Sequence, residues 1–310
     1  MTIRVLAPGL LTTVQDCGRW GSQWLGVPVA GPMDEVSHQL ANSAVGNPPD
    51  RATLEVTLVG PSLEFLADVT FAVTGAEFEM RLDEDPVQRG VARRAGRGSV
   101  LRFGRRGLGA RAYLGVAGGI DVPAVLGSRS TDLASGFGGL GGRRLREGDQ
   151  LSVGPRAGRA AASGSRTPSF PLPRGGAQVR VIADTDDHGA RCGQAALALF
   201  TRTRFSLAAE SNRMGYRLCG PAIALADETP VLSAATPFGT VQVPPSGHPI
   251  LLMADRQTTG GYPRIATVIS ADLPLAGQLA PGDWIRFELC DRRSALAALI
   301  AQQQRLMRAT

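Results

Sequence analysis

Residues 154–176 read GPRAGRAAASGSRTPSFPLPRGG, and this stretch decides how the rest of the chain is divided. It is rich in Gly, Ala, Ser, Pro and Arg, carries one aromatic residue (Phe170) and has no apolar period, the composition of a linker or long exposed loop. On either side lie nearly equal halves, 1–153 and 177–310. Each reads mainly as short strands: TIRVL, TLEVTLV, VTFAVTG, SVLRF and RAYLGVAGG, then QVRVIA, TRFSLAA, GTVQVP, PILLMA and IATVIS. The 39 glycines and 21 prolines among 310 residues favour many turns over long helices. Helical spacing shows in three places. Met33, Val36, Leu40 and Ala44 line one face, with Gly46 as the C-terminal cap. ARCGQAALALF at 190–200 predicts a short helix. The tail from Ser294 places Leu296, Leu299, Ile300 and Met307 on one side, which predicts a helix packed against the body.

The halves echo each other. Gly60-Pro61-Ser62-Leu63 resembles Gly220-Pro221-Ala222-Ile223, and LREGDQL at 145–151 resembles LAPGDWI at 279–285, where a Gly-Asp turn would feed a closing strand. The expectation is a mainly β protein of two β-barrel lobes, residues 1–153 and 177–310, with a few peripheral helices and a terminal one. A cleft between two barrels would be a natural ligand site.

Composition excludes several functions. Aromatic residues are 5% of the chain and the basic charge is concentrated in 88–107 and 154–176, so the net +6 is not a nucleic-acid signature. Acidic residues Glu77, Glu79, Asp83, Glu84 and Asp85 precede the first basic run and could neutralise it. No apolar run approaches a membrane span and the N-terminus is not a signal peptide, so neither membrane nor secretion is expected and the location expected is cytoplasmic. All 33 basic residues are arginine. The chain therefore cannot form a lysine Schiff base, supply a phosphate-loop lysine or carry lysine-linked biotin itself. Cys17, Cys192, Cys219 and Cys290 form no C-x-x-C pair, and His38, His188 and His248 are scattered, so no metal site is expected. His38 is assigned to the polar face of its helix and His248 to an exposed turn.

Three segments join a strand to a dense polar turn: TTVQDCGRWG with Gln15, Asp16 and Arg19; GGIDVPAVLGSRSTD with Arg129, Ser130, Thr131 and Asp132; and PILLMADRQTTGGYPRI with Asp255, Arg256, Gln257, Thr258, Thr259 and Tyr262. Such clusters either satisfy one another or meet a ligand, because unpaired burial is costly. Gly260 and Gly261 would let backbone N–H groups approach an oxyanion. GFGGLG at 136–141 fits a dinucleotide pattern in letters only, since no βαβ context surrounds it. Ser130 has no histidine partner visible in the sequence, so a hydrolase triad is unsupported.

These same blocks, with GVPVAGPMD, LANSAVGN, YLGVAGGIDVPAVLGSRST, NRMGYRLCG, GTVQVPPSGHPILLMADRQTTGGYPRIATVISADL and PGDWIRF, resemble the biotin-dependent carboxyltransferase family, also called allophanate hydrolase subunit 2 or the C subunit of 5-oxoprolinase. The resemblance spans nearly the whole chain. It implies two cyclophilin-like β-barrel lobes and a partner of the B-type, also called allophanate hydrolase subunit 1, with an A-type protein as a further candidate. It implies ATP-dependent opening of 5-oxoproline to glutamate by that complex. The alternatives are carboxyl transfer to urea or a related small amide, with biotin delivered on another protein, and a non-catalytic role in binding the B-type relative. On motif position and side-chain chemistry, Asp16, Asp255, Arg256 and Tyr262 are assigned to catalysis. Gln15, Arg19, Arg129, Ser130, Thr131, Arg213, Gln242, Gln257, Thr258 and Thr259 are assigned to substrate binding. Two departures from the family pattern stand out: Ala183-Asp184-Thr185-Asp186 replaces a Gly-Pro-Gln-like turn, and Ser233-Ala234-Ala235 replaces a Ser-Glu-Gly-like stretch.

Overall fold

Alternation of buried and exposed residues marks the outer strands, as in Phe78–Leu82, where Phe78, Met80 and Leu82 turn inward. Arg111–Val116 is instead buried on both faces, because one face meets the core and the other meets a helix. The computed structural model describes residues 2–156, 164, 166–227 and 231–308. Part of the glycine- and proline-rich stretch, 157–163 and 165, lies outside the described residues.

The chain forms two compact units, Met1–Trp20 with Ala30–Leu172 and Arg305–Thr310, and Gly21–Val29 with Pro173–Gln304. The first is built on two antiparallel sheets. One runs in the order Ile120–Asp121, Gln150–Val153, Ile3–Ala7, Ser62–Phe65, Val100–Arg106, Phe78–Leu82, Asp85–Pro86; the other runs Leu11–Gln15, Thr53–Thr57, Arg111–Val116, Val69–Gly75, Arg93–Ala95. Their shared core includes Ile3, Leu54, Val56, Leu63, Leu101 and Leu114. Phe65 of one sheet stacks on Phe71 of the other with ring centroids 5.3 Å apart. Helix α1 (Glu35–Ala44) starts where the Asp34 carboxylate accepts from the Ser37 N–H and buries Val36, Leu40, Ala41 and Ala44. Within the glycine- and proline-rich stretch, Thr167 N–H donates to the Gly90 carbonyl, and Phe170 packs with Val36, Leu40 and Leu306.

The second unit is a closed barrel in the order Gly176–Ala183, Arg264–Val268, Thr240–Gln242, Ile250–Leu252, Gly215–Cys219, Arg204–Leu207, Trp284–Leu289. It closes by a parallel pairing of Gly176–Ala183 with Trp284–Leu289. Phe200 of helix α2 (Asp187–Arg202) stacks on Phe287 at 4.3 Å. Helix α3 (Leu273–Gly277) follows the strand Arg264–Val268. A mainly β protein with a few helices is thus what the chain forms.

The Gly-Asp echo is structural. Gly148 and Gly282 both have positive φ (83° and 88°) and precede the strands Gln150–Val153 and Trp284–Leu289. The other echo is not, since Ser62–Phe65 is a strand whereas residues 222–225 lie outside strands. Two expectations require correction. Helix α4 (Arg292–Met307) exists, but Leu296, Ile300 and Met307 are exposed and only Leu306 is buried. Its apolar residues do not form one buried stripe, so the sequence pattern overstated its packing. His38 is fully buried rather than on a polar face. Its Nε2–H donates to the Pro49 carbonyl at 3.0 Å, and its Nδ1 accepts from the Thr53 hydroxyl at 2.9 Å. His248 is exposed, as its turn suggests. No helix among the described residues is long and apolar enough to cross a membrane.

Candidate active site

The sequence-assigned residues gather into one polar cluster in each unit. In the first, the strand Leu11–Gln15 delivers Asp16 to its end, where the loop 128–131 folds onto it. Asp16 Oδ1 accepts from the Gly18 N–H, the Ser128 hydroxyl and the Ser130 hydroxyl at 3.1, 2.5 and 2.7 Å. Oδ2 accepts from the Arg129 N–H at 2.5 Å. A carboxylate has about four acceptor sites, so these donors saturate it. Thr131 donates both its N–H and its hydroxyl to the Val14 carbonyl, at 2.9 and 3.0 Å. Gln15 Nε2 reaches Thr13 Oγ1 at 3.1 Å and the Thr131 carbonyl at 3.3 Å.

Arg19 completes this knot from inside. Its Nε donates to the Val125 carbonyl and its Nη2 to the Ser130 carbonyl, both at 2.8 Å, with the guanidinium 4.7 Å from the Phe137 ring centroid. The glycines of 136–142 let the backbone close over it. A Cβ on Gly138, whose φ is +71°, would sit 2.1 Å from the Ser130 carbonyl oxygen. The resemblance to a dinucleotide loop is therefore resolved sterically: the space beneath Gly138 and Gly139 is filled by Ser130 and Thr131.

The Asp16 carboxylate accepts four hydrogen bonds from its own chain, a partner set that suits an orienting role. Gln15, Arg19, Ser130 and Thr131 are fully buried and bond within their own chain, while Gln15 Oε1 has no hydrogen-bond partner among the described residues. The Ser130 hydroxyl proton goes to Asp16, not to a histidine. Arg129 alone reaches outward, 3.3 Å from Asp121. Sequence reading missed Ser128 and Phe137, for which no local pattern gave a signal.

In the second unit, Ile250–Leu252 leads into Asp255 and Arg256. Asp255 receives both Nε and Nη2 of Arg213, at 2.9 and 2.8 Å, in a pair with each side chain only 3% exposed. Asp255 is thus held by Arg213, and two residues assigned to the site bond to each other. Arg256 differs. Its guanidinium is buried, its Nε donates to the Thr236 carbonyl at 2.7 Å and its Nη1 to the Met253 and Ala254 carbonyls, both at 3.5 Å, and no carboxylate bridges it among the described residues. Burial lowers its pKa to about 10, opposed only by the more distant charge of Asp255.

Thr236 organises what surrounds Arg256. Its hydroxyl donates to the Gln257 carbonyl and its N–H to the Thr258 carbonyl. Gln257 Nε2 in turn donates to Gln242 Oε1 at 3.3 Å. Gln242 is 1% exposed, and its Nε2 has no hydrogen-bond partner among the described residues. Thr259 pairs with Ala235 in a two-residue strand and is exposed, as is Tyr262, whose carbonyl accepts from His188 Nδ1 at 3.3 Å. Thr236 and Phe238, which lies 5.5 Å below the Arg256 guanidinium, carried no sequence signal.

The two departures from the family pattern meet on one residue. Arg264 donates to the Asp186 carboxylate and, at 2.8 Å, to the Ala235 carbonyl, while its Nε lies 3.6 Å from Asp184. Burial raises the Asp184 carboxyl above its ordinary range, with Arg264 opposing. No group of three or more His, Cys, Asp or Glu placed to hold a metal occurs among the described residues.

Residues 25–289 match the carboxyltransferase domain, subdomain A and B, and the chain belongs to that family. Its relatives give the particulars. It is 40% identical to the C subunit of 5-oxoprolinase from Escherichia coli over 97% of this chain and 96% of that one. It is 38% identical to the C subunit of 5-oxoprolinase from Haemophilus influenzae, over 91% and 89% of the two chains. The crystal structure of the urea amidolyase of K. lactis superposes with a TM-score of 0.93 at 31% identity, covering all of this chain and 20% of that much longer one.

Proposed function

We propose that this chain is the C-type subunit of an ATP-dependent 5-oxoprolinase, acting with B-type and A-type partners in the cytoplasm to open 5-oxoproline to glutamate. The observation that carries the reading is Arg256: a buried cation without a bridging carboxylate, set among amide side chains, in a chain that matches the C subunit of 5-oxoprolinase almost end to end. A lactam resists hydrolysis because its amide is resonance-stabilised, so binding energy spent on its oxygen and its carboxylate is what such a site must supply. Arg256 suits the substrate carboxylate, and Gln242 and Gln257 suit amide oxygen or nitrogen. Thr258, Thr259 and Tyr262 follow on the same segment, Thr258 half-buried and the other two exposed. The Arg213–Asp255 pair holds the segment that carries Arg256, and the Asp16 knot holds the loop that carries Arg129.

ATP would come with the partner complex, and biotin only on another protein. The glycine-rich loop that would cradle phosphates is closed by Ser130 and Thr131, and no lysine exists to carry biotin. The superposition on a urea amidolyase favours one second reading, carboxyl transfer from a biotin carrier to urea or a similar amide.

Reconstitution decides between them. The purified chain with both partners, ATP and 5-oxoproline is expected to release glutamate. Arg256→Gln is expected to raise KM for 5-oxoproline by about 10-fold or more, the loss of one charge-assisted contact. Carboxylation of urea with a biotin carrier, and no glutamate, would replace the first reading by the second.

A further inference from the structure

The outer face of the barrel carries arginines that its own chain leaves without an ion pair. Arg204 and Arg286 are direct cross-strand partners, and Arg202, the last residue of helix α2, lines a groove together with Arg286. Like charges set opposite each other on two strands repel, so this arrangement costs the fold stability rather than supplying it. All three side chains are exposed, and none forms an ion pair among the described residues. Their one polar contact is the donation of Arg286 Nε to the Thr201 carbonyl, long at 3.5 Å. Glu288, in the same groove, turns its carboxylate to Gln178 Nε2 at 2.6 Å. Arg204 is nevertheless held in place. Its guanidinium lies over the Trp284 ring, 4.1 Å from the centroid, and that ring packs directly on the backbone of Gly176, where a Cβ would sit 2.3 Å from it. A cation–π contact fixes the guanidinium without consuming its N–H donors, and none of those on Arg204 has an acceptor among the described residues.

We infer that Arg202, Arg204 and Arg286, with Trp284, form a docking face for an acidic polypeptide segment of the B-type partner. The groove beside them has a volume of about 370 Å³ and is open along the barrel, since Gln178, Arg202, Arg286, Glu288 and Leu289 in its lining are all exposed. A small ligand is enclosed by its pocket on most of its surface, whereas an open groove suits a chain that continues beyond it. Charge complementarity sets the chemistry of that chain. Carboxylates accept the paired N–H groups of guanidinium, and a side chain held in advance by an aromatic ring loses little freedom on binding. Leu289, 45% exposed at the groove, offers a contact to an apolar residue of the same segment. Arginine and tryptophan are also the side chains most enriched where a few residues carry an interface. The identity of the partner rests on the oxoprolinase reading given above, and the acidic character of the segment rests on the groove.

The double variant Arg204→Gln with Arg286→Gln tests this with little risk to the fold, because both side chains are exposed and the change removes a repulsion. Its thermal unfolding is expected at or above that of the parent chain, and a clear drop would make the arginines scaffold and overturn the proposal. Titration calorimetry with the purified B-type partner is expected to show affinity lower by about 10-fold or more in the double variant. Added salt should weaken association of the parent chain much more than that of the variant, as for exposed charges. Undiminished affinity in the folded variant, or no association of the parent chain, overturns the docking face whether or not the complex releases glutamate. Weakened association in a complex that leaves 5-oxoproline intact keeps the face and removes the functional reading. Inorganic phosphate separates a free anion from a polypeptide. Phosphate binding that is lost in the double variant, with partner affinity equal in both proteins, would make the groove a small-anion site and overturn the proposal.

Discussion

His38 shows how one buried side chain can tie stability to pH. Complete burial lowers its pKa from 6.5 to about 4, and the Pro49 carbonyl and nearby acids only partly oppose this. The neutral ring is further fixed by its partners, since Thr53 needs Nδ1 as an acceptor. In the unfolded chain the ring takes a proton as pH falls through about 6.5, whereas in the folded chain it resists until about pH 4. The associated stability is complete above the unfolded value. It is lost progressively between about 6.5 and 4, amounting to about 3 kcal/mol at roughly 1.4 kcal/mol per unit. His38→Gln, which can still donate to Pro49 and accept from Thr53, is expected to flatten that part of the stability–pH curve in urea melts. An unchanged slope would mean that other groups carry it. The role of His38 was not legible in the sequence, because its helix position alone placed it on the outer side. Its partners come from the segment 49–53, and helical spacing does not reveal where that segment returns.

The loop over Arg19 behaves as an element although it has no regular structure. Its glycines are needed for different reasons, and two of them separate those reasons. Gly138 and Gly141 both have positive φ, 71° and 66°, but a Cβ on Gly138 meets the Ser130 carbonyl at 2.1 Å whereas one on Gly141 meets nothing within 4 Å. Gly141→Ala should therefore lose only the left-handed backbone preference, about 1 kcal/mol. Gly138→Ala must also push the loop off Ser130 and Arg19, for a total on the order of 3 kcal/mol, comparable to overpacking a core. Denaturant melts of the two variants provide the comparison, and equal losses would show that the loop yields without disturbing Arg19. Among regular elements, the strands that carry long β-branched or aromatic runs, such as VTFAVTG and QVRVIA, were legible. Phe78–Leu82, with Glu79 and Arg81 between its buried residues, and Gly215–Cys219, with Arg217, were harder to read, because a charged outer face in a five-residue strand breaks the apolar run. The terminal helix misled in the opposite sense: leucine-rich spacing is necessary for packing but does not supply a surface to pack on.

Across the whole chain, the blocks that form the candidate site were visible, but the division of labour within them was not. Asp16 finds Ser128 and Ser130 across more than a hundred residues, and Asp255 finds Arg213 across 42, so sequence shows the charges and hides the pairing. Pairing separates Arg213, bonded twice to the Asp255 carboxylate, from Arg256, which bonds backbone carbonyls and which we propose meets a ligand. Stability should reveal the same division. Asp255→Ala takes from buried Arg213 the carboxylate that it bonds twice and is expected to cost about 3–5 kcal/mol, whereas replacing both with apolar residues, Arg213→Met with Asp255→Leu, should recover most of that loss. Arg256 already bears the desolvation of a charge without a bridging carboxylate, so Arg256→Gln removes an unfavourable term along with the hydrogen bonds to the Thr236, Met253 and Ala254 carbonyls, the last two long at 3.5 Å. Its unfolding free energy is expected within about 1 kcal/mol of the parent chain, or above it, while turnover by the reconstituted complex falls. Chemical denaturation of the three variants beside the activity assay tests the separation. An Arg256→Gln variant as unstable as Asp255→Ala would place Arg256 with the scaffold, and the anion-binding role argued for it would have to pass to another residue.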